Sequence, residues 1–330
     1  MKNRPLVSVI IPTYNRADKI GAAIKSVMAQ TYSYIQLIVI DDGSNDHTAE
    51  VVREFPDVEY YLQPHAGQAA ARNEGLQWAK GTLIASLDSD DIWHPDFLMQ
   101  CVNKLENDKL DFVFANWIQL SRDNTSRNYL RTYPALVPFI KNARNNWVDL
   151  DQTMLKDIYL KGCPSPSSSA LMRKSSIVSG WNREIYIGDD WCIFLDMILR
   201  KSCKASFCLE QLWTKNVSEL NVYDGRAWNE VTELLYVNDL QKFIIRYRHL
   251  LEQDEIKSLK TLHQKGLLNL AIYYLFKKGH ISRSLRLIWQ SFNMDAGQTF
   301  KIFPNTLIAC LSRKLNTISF FSNTKLSTQE

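Results

Sequence analysis

The chain has 330 residues, which is enough for one large domain or two ordinary ones. Apolar residues make up 45% of it and charged residues 22%, a balance that is typical of a globular protein and excludes a disordered, collagen-like or coiled-coil chain as a whole. The net charge of +4 is unevenly spread, because residues 241–330 carry 14 Lys and Arg against 5 Asp and Glu. This basic part favours an anionic partner, such as a membrane surface or nucleic acid, or a solvated cationic helix face.

Six cysteines without a CxxC pair are too sparse for a disulfide scaffold or a zinc ribbon, and they predict reduced thiols in a cytoplasmic protein. The first apolar run is short and is interrupted by Pro12, which indicates a strand and a turn rather than a signal peptide. No stretch approaches the roughly 18 uninterrupted apolar residues that a transmembrane helix requires.

Strands alternate with helices over the first 120 residues. Dense apolar or β-branched runs predict strands at Val7–Ile11, Ile35–Ile40, Val58–Leu62, Thr82–Leu87 and Phe112–Phe114. Helical spacing or capping residues separate these runs, as Ile20, Ile24 and Val27 illustrate. The order predicts an α/β fold in which a mostly parallel, Rossmann-like sheet is flanked by helices.

Acidic turns follow two of these strands. Asp41 and Asp42 end the second strand, and Asp88–Asp91 follow the fourth. In open α/β sheets ligands bind beyond the carboxyl ends of the strands, so two strands would deliver carboxylates to one crevice. A single turn of this kind is most often a turn former or a helix cap, but two of them at corresponding strand ends favour a binding site.

The pattern changes beyond residue 120. Periodicity fades over Ser121–Asn146, which predicts a long connection of the kind that often serves as a functional lid. Regular signals return at Cys163–Ser169, and Gly188–Trp191 opens another helix. From Ala227 onward the chain is mainly helical by pattern, with cationic clusters among aromatic residues. The cationic positions are Arg246, Arg248, Lys277, Lys278, Arg283, Arg286, Arg313 and Lys314, and the aromatic ones are Phe276, Trp289, Phe292, Phe303 and Phe320.

Several common catalytic signatures are absent from the sequence. It contains no GxGxxG, GxxxxGK[ST], HExxH or GxSxG motif, and its six histidines lack metal-ligand spacing. What remains is Asp88-Ser89-Asp90, in which two carboxylates project from the same side of an extended segment. Hard oxygen ligands suit Mg²⁺ or Mn²⁺, whose coordination is typically completed by water and substrate phosphates. A DxD triplet is common by chance, so its place directly after a strand carries the argument.

Five ordered blocks within roughly the first 100 residues resemble family 2 glycosyltransferases, the large GT-A group of inverting enzymes. The blocks are Val7–Asn15 (VSVIIPTYN), Ser26–Tyr32 (SVMAQTY), Ile38–Ser44 (IVIDDGS), Gly67–Gly75 (GQAAARNEG) and Leu87–Asp91 (LDSDD). A weaker similarity at Ser168–Trp181 and Gly188–Trp191 extends the resemblance to about residue 220. Beyond that point it implies little.

The resemblance implies a nucleoside-diphosphate sugar as donor and assigns residues to it. The donor would contact Pro12, Thr13, Tyr14, Asp42, Arg72, Asp88 and Ser89. In this assignment Asp42 accepts hydrogen bonds from the base, Arg72 lies near the nucleotide or its phosphates, and Asp88 lies near the ribose or sugar. Asp90 would ligate a divalent cation, Mn²⁺ or Mg²⁺, that bridges the diphosphate. The alternative reading of Arg72 is a surface ion pair.

An inverting transfer also needs a base that takes the proton from the acceptor hydroxyl. Family members carry it in an acidic pair at the start of a helix, and the counterpart here is Asp189-Asp190, so the resemblance assigns the base to Asp190. The alternative is negative charge that complements the helix dipole. Two departures matter, because Cys192 replaces a second carboxylate and Asn216, next to Lys215, stands where many members have a histidine.

These observations predict two parts. Residues 1–222 would form the GT-A unit, with 1–120 binding the nucleotide sugar and 121–222 supplying the acceptor side and the base, and residues 223–330 would form a basic helical region. The leading hypothesis is an inverting glycosyltransferase that acts on a glycan or lipid-linked acceptor in polysaccharide synthesis. The alternatives are a nucleotide-sugar-binding protein without turnover, and a sugar-1-phosphate nucleotidyltransferase, whose Gly-rich phosphate loop is missing here.

The basic C-terminal part adds an expectation about location. Cationic residues beside bulky apolar ones are what an interfacial helix needs to hold an anionic bilayer surface. No nucleic-acid-binding motif accompanies them, so nucleic acid is not expected as a partner. We therefore predict a cytoplasmic protein that associates peripherally with the inner face of the cell membrane.

Overall fold

The computed structural model describes residues 4–120, 126–216 and 226–312. The chain packs as two compact units, residues 1–225 and residues 226–330. The predicted cationic and aromatic positions Arg313, Lys314 and Phe320 lie outside the described residues, as does the start of the long connection at 121–125.

Ten strands lie within the described part of the first unit and form one sheet. They are β1 (Val7–Thr13), β2 (Ile35–Asp41), β3 (Glu59–Leu62), β4 (Leu83–Ser86), β5 (Ile92–Trp93), β6 (Phe112–Leu120), β7 (Ser126–Asn128), β8 (Trp147–Leu150), β9 (Ala170–Arg173) and β10 (Ala205–Asn216). The strand order is β3-β2-β1-β4-β9-β6-β10-β5, with β7 added beside β6 and β8 beside β10.

One half of the sheet is parallel. β1 pairs in parallel with β2 on one side and with β4 on the other, and β2 pairs in parallel with β3. β9 lies antiparallel between β4 and β6, and β10 runs parallel to β6. The chain proceeds outward from β1 to β3 and then returns to place β4 on the opposite side of β1. Ligands of open α/β sheets bind at such a reversal of strand order, here between β1 and β4.

The centre of the sheet opens at its carboxyl edge. Every residue of β1 is buried, as the β-branched run predicts for a strand covered on both faces. The ladder with β4 runs only from Val7 to Ile10, whereas the ladder with β2 continues to Thr13. Pro12 therefore lies where only one side of β1 is still paired, which is where a strand tolerates a residue without an N–H.

Eight α-helices are described in the first unit. They are α1 (Ile20–Met28), α2 (Thr48–Arg53), α3 (Gln68–Trp78), α4 (Phe97–Asn107), α5 (Tyr129–Thr132), α6 (Val137–Ile140), α7 (Gln152–Tyr159) and α8 (Asp189–Arg200). Single 3₁₀ turns at Ser167–Ser169 and Lys174–Ser176 flank β9. The amphipathic helices α1 and α4 each bury one face, which explains the apolar spacing in the sequence. Helix α8 is buried on all sides over most of its length, since every residue of Trp191–Ile198 is buried.

Helix α3 approaches β1 closely at Gly75. A Cβ atom at this position would lie 2.4 Å from Cγ2 of Ile10, so a side chain would force the helix away from the strand. We expect Gly75→Ala to lower the free energy of unfolding by about 1–3 kcal/mol, measured by chemical denaturation. Gly21→Ala in α1 is the matched control, because its Cβ would lie 3.4 Å from Val51 and alanine favours the helix. An unchanged stability for Gly75→Ala would contradict the close packing.

The second unit is helical within its described residues. Its helices are α9 (Trp228–Val231), α10 (Leu240–Tyr247), α11 (Gln253–Lys277), α12 (Ile281–Met294) and α13 (Ala296–Ser312), with a π-helical segment at Thr232–Asp239 between α9 and α10. The core of α11 and α12 is formed by Leu267, Leu270, Ala271, Tyr274 and Leu287. No helix in residues 4–120, 126–216 or 226–312 combines the length and the apolar character that a membrane crossing requires.

The predicted fold class is confirmed, and the sheet is more mixed than expected. Helices flank a sheet whose strands β1–β4 follow the predicted runs closely. The strand expected at Phe112–Phe114 extends to Leu120, and antiparallel β9 separates it from β4. The weakly periodic stretch after residue 120 is not a plain connection, because β7, α5 and α6 lie within residues 126–146.

Candidate active site

The carboxyl edge of the sheet collects the predicted residues. Thr13 ends β1, Asp42 follows β2, and Asp88 and Asp90 follow β4. The turn after β4 is held by a residue from a distant part of the chain, because the backbone N–H of Asp88 donates to Oγ of Ser168 at 3.0 Å. The two acidic turns therefore border the reversal point of the sheet, as the sequence predicts.

Arg72 of α3 lies at the centre of an acidic cluster. Its side chain is 1% exposed. Nη2 donates to Oδ1 of Asp88 at 2.6 Å, and Nη1 donates to Oδ2 of Asp189 at 2.6 Å and lies 3.5 Å from Oδ1 of Asp190. Burial opposes the charged guanidinium, but the surrounding carboxylates, Asp190 first, raise the pKa of Arg72 above its usual range. Arg72 is therefore a buried cation, and the alternative of a surface ion pair is wrong.

Asp189 and Asp190 begin helix α8 and have different environments. Asp189 is fully buried and accepts hydrogen bonds from Nε2 of Gln68 at 2.8 Å and from Arg72. Burial raises the pKa of the Asp189 carboxyl, and the charge of Arg72 counteracts this effect. Asp190 keeps 21% of its side chain exposed. Of the pair, Asp190 is the carboxylate that a molecule from solvent can reach.

Two adjacent serines hold the carboxylate-bearing segments. The backbone N–H of Ser167 donates to Oδ2 of Asp190 at 2.9 Å, and the Ser167 hydroxyl donates to Oδ1. Ser168 receives the N–H of Asp88 on its hydroxyl, and its carbonyl accepts a 2.7 Å bond from the Trp93 indole. One 3₁₀ turn thus fixes both the turn after β4 and the start of α8.

Asp42 anchors the loop between β3 and α3. Its Oδ1 accepts hydrogen bonds from Nε2 of Gln63 at 2.6 Å and from the N–H of Ala66 at 2.8 Å, and its Oδ2 accepts from the N–H of Gly67 at 2.7 Å. Nδ1 of His65 lies 2.9 Å from the same Oδ2. Both oxygens are therefore occupied, so a nucleobase that binds Asp42 must displace a donor such as the Gln63 side chain.

An aromatic pair lies just beyond the carboxyl end of β1. The ring of Tyr14 stacks on that of His65 with 4.2 Å between centroids, and Tyr14 is 39% exposed. Next to it, Oγ1 of Thr13 is buried and has no hydrogen-bond partner among the described residues. An exposed ring face and an unused hydroxyl at the end of β1 are features that suit a planar, polar ligand.

Asp90 is the buried carboxylate of the Asp88-Ser89-Asp90 turn. Burial raises the pKa of Asp90, and the charge of Asp88 raises it further. Nε of Arg16 lies 4.0 Å from its Oδ2, and the charge of Lys215 on β10 lowers the same pKa. Ser89 is buried between the two carboxylates. A cation bound here would relieve the repulsion that the two acids exert on each other.

The donor set fits a hard divalent cation with an incomplete protein shell. Asp88 and Asp90 offer carboxylate oxygens, which suit Mg²⁺ or Mn²⁺. Among the described residues no group of three His, Cys, Asp or Glu side chains is arranged to hold a metal. An ion at Asp90 would therefore depend on substrate phosphates and water for most of its ligands. The side chain of Asn216 lies outside the described set.

The structure brings most of the predicted residues to one edge of the sheet and adds others that sequence reasoning missed. Arg72, Asp88 and Asp190 form one cluster, whereas Asp42 belongs to a separate loop anchor. Gln68, Ser167, Ser168 and the buried role of Asp189 were not predicted. The run Pro164–Ser169 is conspicuously rich in proline and serine, but nothing in it indicates which carboxylates the serines hold.

Comparison with known proteins agrees with this architecture. The sequence model described as Glycosyl transferase family 2 matches residues 8–178, just over half of the chain. The UDP-Glc:alpha-D-GlcNAc-diphosphoundecaprenol beta-1,3-glucosyltransferase WfgD of Escherichia coli is 34% identical over 158 residues, which cover 46% of this chain and 62% of WfgD. The matched segments cover 50% to 63% of the lengths of WfgD and two further curated relatives.

Two solved structures share the fold over nearly the whole chain. S. aureus TarS 1–349 in complex with UDP-GlcNAc has a TM-score of 0.62 at 13% identity and covers 93% of this chain and 92% of its own. The mannosyltransferase PcManGT from Pyrobaculum calidifontis, in complex with GDP-Man and Mn²⁺, has a TM-score of 0.55 at 19% identity and covers 96% and 88%. At these identities the likeness concerns the fold alone. The match of the family sequence model shows that this chain belongs to glycosyl transferase family 2.

Proposed function

We propose that the chain is an inverting glycosyltransferase that moves a sugar from a nucleoside-diphosphate sugar to an acceptor hydroxyl. The observation that carries the proposal is the cluster around Arg72, which joins Asp88 at the end of β4 to Asp190 at the start of α8. A donor bound at the reversal point of the sheet would lie beside Asp88, with Asp190 within reach of the same site. A protein that only bound nucleotide sugars would have no use for the second carboxylate.

Asp190 is the base in this proposal. The acceptor oxygen attacks the anomeric carbon, its proton moves to the Asp190 carboxylate, and the bond from that carbon to the diphosphate oxygen breaks. The electron pair of the broken bond leaves with the diphosphate. Ser167 holds both oxygens of Asp190 by its N–H and its hydroxyl, so the carboxylate has a fixed orientation while part of its surface stays exposed. Family membership supports this role, although the matched segment ends at residue 178.

The donor side is built from the ends of β1, β2 and β4. Tyr14 offers an exposed ring face, and the unused Oγ1 of Thr13 can bond a polar edge of the nucleotide. Pro12 precedes both of them at the carboxyl end of β1. Asp42 contacts the nucleobase only if one of the groups that now donate hydrogen bonds to its carboxylate is displaced. Asp88 with Ser89 borders the sugar of the bound nucleotide sugar. WfgD is named for UDP-Glc as its donor, which makes a UDP-sugar our first choice for this chain.

A divalent cation, Mn²⁺ or Mg²⁺, completes the proposed site at Asp90. When bound, it neutralises the charge that develops on the departing diphosphate. The buried Asp90, whose pKa is raised by burial and by Asp88, supplies the carboxylate that holds it. The Mn²⁺ in the PcManGT complex supports this choice of ion. Arg16 and Lys215 add positive charge that acts on Asp90.

The proposed acceptor is a lipid-linked saccharide, in a pathway that makes a cell-surface polysaccharide. WfgD is named for a diphosphoundecaprenol-linked sugar as its acceptor. Another relative, TuaG of Bacillus subtilis, is named as a putative teichuronic acid biosynthesis glycosyltransferase. Both are about one third identical to this chain over their matched segments.

The direct test is hydrolysis of a panel of nucleotide sugars with and without Mn²⁺. A transferase should hydrolyse one donor slowly in a metal-dependent way, while a binding protein without turnover should bind a donor and leave it intact. A nucleotidyltransferase should instead consume sugar-1-phosphate and nucleoside triphosphate. A thermal-shift screen identifies the donor, because a ligand at 100 times its Kd stabilises the fold by about 2.7 kcal/mol.

The proposed membrane association rests on α12. Its exposed apolar residues fall on one sector of the helix, while Leu287 and Ser291 face the core of the second unit. These exposed residues are Ile281, Leu285, Trp289 and Phe292. Arg286 borders the sector, and residues 277–312 contain five Lys and Arg against one acidic residue. This apolar sector forms a stripe along α12, and its flanking cations suit an anionic bilayer surface, where a lipid-linked acceptor would be presented.

Vesicle flotation tests this surface. We expect the protein to float with phosphatidylglycerol vesicles at low salt, and Leu285→Ser with Trp289→Ser to reduce the recovered fraction several-fold, since both remove apolar contact. Salt should weaken the recovery because it screens the cations. The control is Ile245→Ser, which removes an exposed apolar side chain of α10 outside the stripe. Equal recovery of the double variant and the control would refute the assignment.

A further inference from the structure

Arg72 is placed unlike a ligand-binding arginine. Its two terminal nitrogens are engaged by Asp88 and Asp189, and Nη1 also lies 3.5 Å from Asp190. Its Nε is buried and has no hydrogen-bond partner among the described residues. With 1% of the side chain exposed, the guanidinium presents no open face to an incoming phosphate. A diphosphate could reach it only by displacing a carboxylate.

The partners of Arg72 come from distant parts of the chain. Asp88 follows β4, and Asp189 with Asp190 begins α8, 117 residues beyond Arg72 in the case of Asp189. A planar guanidinium bonds two carboxylates in fixed directions, whereas an ammonium is a point charge that cannot impose such a geometry. Gln68, one turn earlier on α3, holds Asp189 as well. Helix α3 therefore ties the donor-side turn to the helix that carries the base.

We infer that Arg72 is a positioning residue that fixes Asp190 relative to Asp88, and that it does not bind the nucleotide. The inference rests on the proposed function, since Asp190 matters as the base of the transfer. It replaces the expectation, drawn from the family resemblance, of a contact between Arg72 and the nucleotide or its phosphates. The three carboxylates around one buried cation also explain why a neutral residue at position 72 would leave buried negative charge uncompensated.

The inference predicts a specific kinetic signature for Arg72→Lys. The positive charge remains, but the two-sided bridge is lost, so Asp190 should be held less well. UDP-glucose, UDP-N-acetylglucosamine and GDP-mannose serve as probes. We expect kcat to fall at least about tenfold and donor KM to stay within about threefold, because the change weakens stabilisation of the transition state and not binding of the donor. Arg53→Lys on the exposed face of α2 is the matched control and should change neither parameter.

Stability gives a second readout that does not depend on turnover. Lysine keeps the positive charge but cannot bond carboxylates on two sides of a buried guanidinium site, so Arg72→Lys should lower the midpoint of thermal unfolding by about 5–10 °C. In an Asp88→Asn background, Arg72→Lys should lower the midpoint by at most about half as much, because the ion pair between Arg72 and Asp88 is already absent. Should Arg72→Lys fail to fold, Asp189→Asn tests the same bridge at a residue too buried to touch substrate, with the same expected split between kcat and KM.

The outcomes separate the inference from the proposed function. A donor KM raised more than about tenfold with kcat preserved would make Arg72 a nucleotide ligand and overturn the inference. Additive shifts in the thermal cycle would also overturn it, since they would show that Arg72 and Asp88 do not interact. If the wild-type protein turned over none of the three donors, the proposed function would fail for them, while the thermal cycle would still decide whether the bridge exists.

Discussion

Replacing Asp190 by asparagine should lower kcat by about 10² to 10⁴-fold while the donor KM changes little. The amide keeps the shape of the side chain. Its oxygen can still accept from the N–H of Ser167 and its NH2 group can donate to the Ser167 hydroxyl, but it cannot take a proton at neutral pH. The expected loss is confined to the step in which the acceptor hydroxyl is deprotonated. Steady-state kinetics with a saturating acceptor measures it.

Asp157→Asn provides the matched control for the base. Asp157 lies on α7 and forms a surface ion pair with Lys161 at i,i+4, which contributes little to stability. We expect its kcat and KM to stay within about twofold of wild type. An Asp190→Asn protein that lost donor binding while keeping its chemistry would show that this carboxylate belongs to the donor site instead.

The strands, the acidic turns and the family were predictable because each depends on local sequence. A buried parallel strand requires a dense β-branched run, and the turn at Asp41–Asp42 or Asp88–Asp91 is visible directly after such a run. The carboxyl edge of the sheet then follows from topology. For this reason the residues that border the crevice could be named before their positions were known.

The bridge made by Arg72 could not be predicted in the same way. Its partners are 16 and 117 residues away, and their approach depends on where α8 packs after the antiparallel strand β9 has entered the sheet. The sequence of residues 67–75 shows a motif, but it does not show that individual residues of the motif make different contacts. In the structure Arg72 holds the carboxylates, Asn73 bonds the backbone of Trp181, and Gly75 lets α3 approach Ile10.

The serine turn shows a similar limit. Ser167 and Ser168 lie next to each other, yet one holds Asp190 and the other holds the backbone of Asp88. Their hydroxyls are buried among polar groups, so each must find a partner, but only the tertiary structure determines which one. Short polar side chains of this kind carry no periodic signal.

Asp90→Asn should remove most turnover and the dependence on divalent cations without unfolding the protein. A neutral amide is a poor replacement for a ligating carboxylate, so the ion would lose its protein anchor. The fold should tolerate the change, because burial and the charge of Asp88 already raise the pKa of Asp90 and make its negative charge costly. We expect the activity of the variant at any Mn²⁺ concentration to be at most a few per cent of wild type.

A binding experiment separates loss of the ion from loss of the fold. Wild-type protein should show a thermal shift with UDP that grows when Mn²⁺ is added, and Asp90→Asn should keep the metal-free shift but lose the increment, since the ion links the diphosphate to this carboxylate. Asp96→Asn is the matched control, because Asp96 lies just beyond the turn and its carboxylate accepts a hydrogen bond from the exposed hydroxyl of Thr31, away from Asp88 and Asp90 in sequence. An undiminished Mn²⁺ increment in the Asp90 variant would remove Asp90 from the metal site, and Asp88 would then be the carboxylate to test.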